Sequence, residues 1–152
     1  MTAIARIHER AAPVARFDRP AVLRVMLGHG ATDFYQAAVP ALVPYFIVTF
    51  HLSLARGASA VFAATILSAV LQPYFGWLAD RRATPWLTTY GLLLAAGGIA
   101  VAVMAPSFTI ALVAVAFAGI GVAAFHPEAT RAVNVFSGQS KGTGMSFFTI
   151  GG

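Results

Sequence analysis

Residues 108–125 read FTIALVAVAFAGIGVAAF, eighteen positions without a charged side chain. Wound as a helix, such a stretch is about 27 Å long, close to the hydrocarbon thickness of a bilayer. Three earlier blocks have the same character: Phe34–Phe50, Ala58–Ala79 and Trp86–Ala105, so that the four run 17 to 22 residues each. With modest extension each is long enough to cross a membrane as a helix. The pattern predicts an all-α membrane protein.

Composition agrees. Of 152 residues, 59% are hydrophobic and 10% charged, with a mean hydropathy of +0.78, far from an ordinary soluble domain. A chain of this length cannot hide that much apolar surface in a water-soluble core. The absence of cysteine removes disulfides, thiolate metal sites and cysteine nucleophiles.

The formal charge of +5 raises the question of a nucleic-acid partner, and the positions of the charges answer it. Arg6, Arg10, Arg16, Arg19 and Arg24 precede the first apolar block, Arg81 and Arg82 follow the second, and Arg131 and Lys141 follow the fourth. Only Arg56 falls in a gap of opposite parity. That asymmetry is the signature of a multi-pass protein with its N-terminus and even-numbered loops in the cytoplasm, not of a nucleic-acid binder.

Boundaries follow from breakers and charges. Residues 1–20 hold four arginines, Glu9, Asp18 and two prolines without an apolar run, which excludes a signal peptide and predicts a cytoplasmic tail. Residues 21–126 are expected to form four transmembrane helices, the first containing Pro40 and Pro44, which remove backbone donors and favour a bend. Residues 127–141 are expected to form a cytoplasmic loop in which His126-Pro127-Glu128 begins a short helix, and residues 142–152 the start of a fifth span. That last piece is too short to cross a membrane, so either the chain is a piece of a longer one, or the missing length comes from a second chain, or the gene product is interrupted.

Small residues set the packing. Ala60, Ala64, Ser68, Gln72 and Gly76 recur at four-residue spacing, a seam that admits a close neighbour while rotating slowly around the helix. Gly91 with Ala95, Gly98 with Ala102, Ala114 with Ala118 and Gly119 with Ala123 permit close backbone approach, and the short turn at Pro106 and Ser107 makes the third and fourth spans antiparallel neighbours.

The chemistry lies in the few polar residues of the spans. His29, Asp33 and Gln36 share one face of the first helix, with Tyr35 offset. An ionisable pair in a membrane is costly unless it faces protein or water. Asp33 is therefore a candidate proton carrier with His29 as neighbour or relay, the alternative being a hydrogen-bonded anchor near the interface. Tyr35, Gln36 and Gln72 are candidates for a substrate path. Asp80, at a helix C-terminus, opposes the helix dipole and calls for a partner such as Arg81 or the N-terminus of another helix.

Enzyme chemistry has little support. The four histidines lack the spacing of a metal site, no nucleophile arrangement surrounds His29 and Asp33, and the glycine pairs lie inside apolar spans. No metal and no cofactor are expected.

Gly76-x-Leu78-Ala79-Asp80-Arg81, between the second and third spans, resembles the cytoplasmic signature of the major facilitator superfamily. Gly28-His29-x-x-x-Asp33, Leu71-Gln72-Pro73, Gly121-x-x-x-Phe125-His126-Pro127-Glu128-Ala129, Ser137-Gly138-Gln139 and the Phe147–Gly152 stretch are similar to the fosmidomycin-resistance family of bacterial drug-efflux transporters within it. The resemblance covers roughly residues 22–152 and implies the N-terminal part of a helical bundle of two six-helix halves working by alternating access. It implies proton-driven export of small drugs, phosphonate antibiotics among them, across the bacterial inner membrane. It also implies roles in gating for Gly76, Asp80, Arg81, His126, Glu128 and Arg131, or a salt-bridged loop for the last three. The chain departs from the pattern at Ala83-Thr84-Pro85, where the signature has glycine and a further basic residue, and in having no arginine within the fourth span. The partners expected are lipid, protons, a small-molecule substrate and the remaining helices. The alternative is a non-transporting membrane assembly or regulatory module.

Overall fold

The computed structural model describes residues 16–152, so most of the expected N-terminal tail lies outside the described residues. Five helices follow in order: α1 Arg19–Phe50, α2 Leu54–Arg81, α3 Trp86–Val103, α4 Phe108–Phe136 and α5 Lys141–Gly151. No strand occurs among the described residues.

Local chemistry sets the ends. Asp18 accepts a hydrogen bond from the Ala21 N–H, with Pro20 in the first turn of α1; Ser53 and Ser107 cap α2 and α4 in the same way. α1 stops at His51, whose left-handed backbone (φ 52°) lets its N–H reach the Ile47 carbonyl.

Three helices, α2, α3 and α4, are long and apolar enough to cross a membrane. α1 has the length but not the composition, because its long windows take in Asp33, Gln36 or the polar turn before them. The polarity that costs α1 its apolar character is the polarity that builds the site.

α4 is the hub. It packs against all four other helices, most extensively against α3 and α2, while the backbones of α2 and α3 do not approach each other closely and meet only in a small cluster of Leu78, Leu87 and Ala124. Its apolar window is 61% buried against 22% for α2 and 28% for α3, whose outer faces carry Phe62, Val70, Tyr90 and Leu93 exposed, as lipid-facing helices do. Gly91 and Gly121 make the α3–α4 approach possible: a Cβ on Gly91 would lie 2.7 Å from the Gly121 carbonyl oxygen. The small-residue seam of α2 behaves as its spacing predicts. Ala60, Ala64 and Ser68 are buried, and the line then rotates until Gln72 faces a cavity.

Contacts at the two ends show the antiparallel arrangement. At one, the Asp18 N–H donates to the Phe136 carbonyl (2.8 Å), joining the start of α1 to the end of α4. At the other, the Tyr45 hydroxyl donates to the Val103 carbonyl (2.9 Å) and the Phe46, Phe50 and Phe108 rings cluster at 6.2 Å. Arg81, Arg82, Arg131 and Lys141 belong to the first end and Arg56, over the Phe108 ring, to the second.

The stretch expected as a loop with a new short helix at His126-Pro127-Glu128 is different. α4 runs unbroken through Pro127 to Phe136, leaving only residues 137–140 between α4 and α5. Glu128, Ala129 and Val133 are fully buried against neighbouring elements, and that tertiary packing outweighs the local cost of a proline in a helix.

Candidate functional site

The first half of α1 carries His29 and Asp33 one turn apart on the face toward α4 and α5. His29 is buried, its ring stacked on Phe148 of α5 at a centroid distance of 3.9 Å and an angle of 5°. Its Nδ1–H donates to the Phe148 carbonyl at 2.8 Å, since a carbonyl oxygen only accepts. Its Nε2 then lies 3.4 Å from Asp33 Oδ2.

The other oxygen of Asp33 has a partner that no local pattern announces. His126 of α4 places its Nε2 3.1 Å from Asp33 Oδ1, across 93 positions of sequence. Its Nδ1–H donates one turn back, to the Val122 carbonyl, at 2.9 Å. One carboxylate thus bridges two imidazoles, each anchored by a main-chain carbonyl. His126, expected among the gating residues, belongs with Asp33 and His29.

Asp33 also lines a cavity of about 1060 Å³ between α1, α2 and α4, together with Tyr35, Gln36, Ser68 and Gln72. Four of the residues expected on a coupling site or substrate path are therefore in one place. The Gln72 amide donates to the Ser68 hydroxyl at 3.0 Å, which orients it within the wall. No lysine or arginine lines this cavity among the described residues. His29, Asp33 and His126 present donor atoms within 4.8 Å of one another, the group among the described residues with the atom types a divalent cation uses. Sequence spacing concealed it because the third member comes from another helix.

A second polar assembly closes the opposite side of the same helix end. Glu128 is fully buried; it accepts from the Thr84 N–H at 3.3 Å and hydroxyl at 3.0 Å, and pairs with the Nε–H and one Nη–H of Arg131, a single edge of the guanidinium. The α2–α3 turn is thereby clamped to α4. Thr84 stands where the sequence departs from the superfamily signature, and the departure is the signal that could have singled it out.

The expected Asp80–Arg81 partnership does not form. Asp80 is exposed and has no ion pair among the described residues, while Arg81 lays its guanidinium over the Trp77 ring, 4.3 Å from the centroid. Arg81 sits next to Asp80 in the last turn of α2, where consecutive side chains diverge. Gly76 lies near Pro127, with room for a Cβ at ordinary contact distance.

Comparison with known proteins follows the geometry. The sequence profile of the Major Facilitator Superfamily matches residues 12–152. The chain is 32% identical over 133 residues to an uncharacterized MFS-type transporter, YfnC, of Bacillus subtilis, covering 88% of this chain and 32% of the relative. It is 30% identical over 128 residues to the fosmidomycin resistance protein of Escherichia coli, covering 84% of this chain and 32% of that one. The chain thus spans about a third of the length of the curated relatives it matches. No solved structure matches it. A profile covering nearly the whole chain, over a bundle of apolar helices with a polar cavity, supports one assignment: this chain belongs to the Major Facilitator Superfamily.

Proposed function

We propose that the chain forms part of a proton-coupled exporter of small molecules in the bacterial inner membrane, working by alternating access together with further helices. The observation that carries this reading is Asp33, which borders a cavity of substrate size while one carboxylate oxygen is hydrogen-bonded to His126 and the other lies 3.4 Å from His29. A carboxylate so placed exchanges protons with water in the cavity, and its charge changes beside the cargo. Asp33 is the coupling acid, His29 its relay, and Tyr35, Gln36 and Gln72 are part of the cargo wall.

The basic end of the bundle, with Arg81, Arg82, Arg131 and Lys141, faces the cytoplasm in this reading, as does the N-terminus. Glu128 and Arg131 act with Thr84 as a clamp that keeps the α2–α3 turn moving with α4, while Gly76, Asp80 and Arg81 meet the rest of the transporter. The relationship to the fosmidomycin resistance protein favours phosphonate drugs as cargo to try first.

The test is pH-gradient-driven flux of a phosphonate drug in proteoliposomes holding the full-length protein or its Asp33→Asn variant. Flux that follows the gradient and is lost in the folded variant supports the reading; flux unchanged by Asp33→Asn removes Asp33 from coupling.

A further inference from the structure

We propose that His29, Asp33 and His126 form a binding site for a divalent first-row transition-metal ion such as zinc or cobalt. The ion is a second ligand, besides the proton, for the polar site beside the cavity. The inference goes beyond the transport reading and does not depend on it.

The ring nitrogens give the first argument. Each histidine turns its Nδ1 to a main-chain carbonyl, Phe148 at 2.8 Å for His29 and Val122 at 2.9 Å for His126. A carbonyl oxygen only accepts, so Nδ1 carries the hydrogen and the neutral ring has its lone pair on Nε2. Both Nε2 atoms face Asp33, 3.1 Å from Oδ1 for His126 and 3.4 Å from Oδ2 for His29. A histidine that binds metal through one nitrogen typically gives the other N–H to a carbonyl or carboxylate, which fixes its tautomer and the plane of its ring. Here both rings are held in that way.

The distances give the second. A hydrogen between His126 and Asp33 closes the 3.1 Å gap as a hydrogen bond, whereas 3.4 Å is long for one and leaves His29 Nε2 without a partner. Ligand atoms bound at 2.0–2.2 Å around a tetrahedral ion stand about 3.3–3.6 Å apart, and in higher coordination somewhat closer. One ion thus accounts for both separations. One donor atom from each of the three residues lies within 4.8 Å of the others, a span that small side-chain rotations close.

The surroundings suit an ion. His29 is buried, stacked on Phe148, and meets the His126 ring edge-on at a centroid distance of 5.1 Å, so both rings are held by packing. Gly152 keeps the space beside the donors clear, since a Cβ there would press on Asp33 Oδ2 and His29 Nε2. Asp33 borders the cavity, which gives the ion a route in and leaves room for water at the positions that three protein ligands do not fill. No lysine or arginine lines that cavity among the described residues, and Arg131 is engaged with Glu128. Two imidazole nitrogens with one carboxylate select the class of ion: zinc, cobalt, nickel and iron accept such a set, whereas calcium and magnesium prefer oxygen alone.

The test uses the full-length protein, purified without a polyhistidine tag and stripped of metal. Cobalt(II) is the probe, because its visible absorption reports the ligands directly. The wild type is expected to bind cobalt, to release it to zinc, and to keep it against an excess of magnesium or calcium. Affinity should fall at least about tenfold in His29→Gln, His126→Gln and Asp33→Asn. Zinc should raise the Tm of the wild type and not that of the variants. No cobalt spectrum in the wild type, displacement by equimolar magnesium, or unchanged affinity in folded His126→Gln overturns the inference. X-ray absorption of the wild-type zinc complex needs no variant: two imidazoles with oxygen completing the shell support the site, and a shell of oxygen alone overturns it. Cobalt binding that requires His126, in a protein without proton-driven flux, upholds the metal site and rejects the transport reading alone; proton-driven flux without metal binding does the reverse.

Discussion

His126 and Glu128 stand two residues apart on α4 and belong to two different assemblies. His126 reaches Asp33, a carboxylate whose side chain is 33% exposed, borders a cavity and has histidines as its only partners among the described residues. Glu128 is a carboxylate with no exposure at all, held by a threonine and by an arginine that is charged at any physiological pH. Positions i and i+2 of a helix point to different sides, so one short segment serves both. The difference lies in the partners: one acid stands between two imidazole rings at the edge of a cavity, whereas the other is buried among an arginine and a threonine as a fastener.

Substitutions can break or sharpen that contrast. The largest effect is expected from Asp33→Asn, which keeps the shape of the side chain and removes its charge. Proton-driven flux should fall by at least about tenfold, as for loss of a group acting in proton transfer, while thermal unfolding in detergent stays near that of the wild type. An unfolded Asp33→Asn protein would make Asp33 a fastener too, and the contrast would collapse.

Glu128→Ala should behave in the opposite way. It leaves Arg131 and the Thr84 donors without their acceptor in a buried place, a loss of about 3 kcal/mol by the usual cost of unsatisfied buried donors. Thermal or denaturant unfolding would register it; unchanged stability would mean that the clamp does not hold the turn.

Thr84→Val refines the same point. The hydroxyl bond disappears and the main-chain N–H bond stays, so a loss of about 1 kcal/mol is expected, with flux preserved. A Thr84→Val protein that folded normally but failed to transport would move this clamp from fastening to gating. The smallest effect belongs to Asp80→Asn: exposed and unpaired within this part of the bundle, Asp80 should contribute no more than about 0.5 kcal/mol to its stability. A larger loss of stability would reveal a partner outside these five helices.

Much of the architecture was legible from composition and spacing. The three apolar spans, the buried line of Ala60, Ala64 and Ser68, and the close pairing of Gly91 and Gly98 with α4 all follow from rules that act within a turn or two of helix. The polar face of α1 was legible as well, since His29, Asp33 and Gln36 announce themselves by their cost in a membrane. The end of α4 was not. Pro127 reads locally as the start of a helix, and only the burial of Glu128, Ala129 and Val133 against other elements carries α4 through it.

The sequence by itself determined that this chain is a helical membrane protein, which stretches form its apolar helices, which faces are small enough to pack, and which few residues are too polar to be idle. Tertiary structure alone decided the pairings. Asp33 meets His126 across 93 residues, Thr84 meets Glu128 across 44, and Phe148 fixes the His29 ring across 119. Periodicity and propensity are local quantities and carry no information about which distant face a helix will meet. Hydrogen bonds are short and directional, so the chemistry of each acid was settled only when packing brought its partner within about 3 Å.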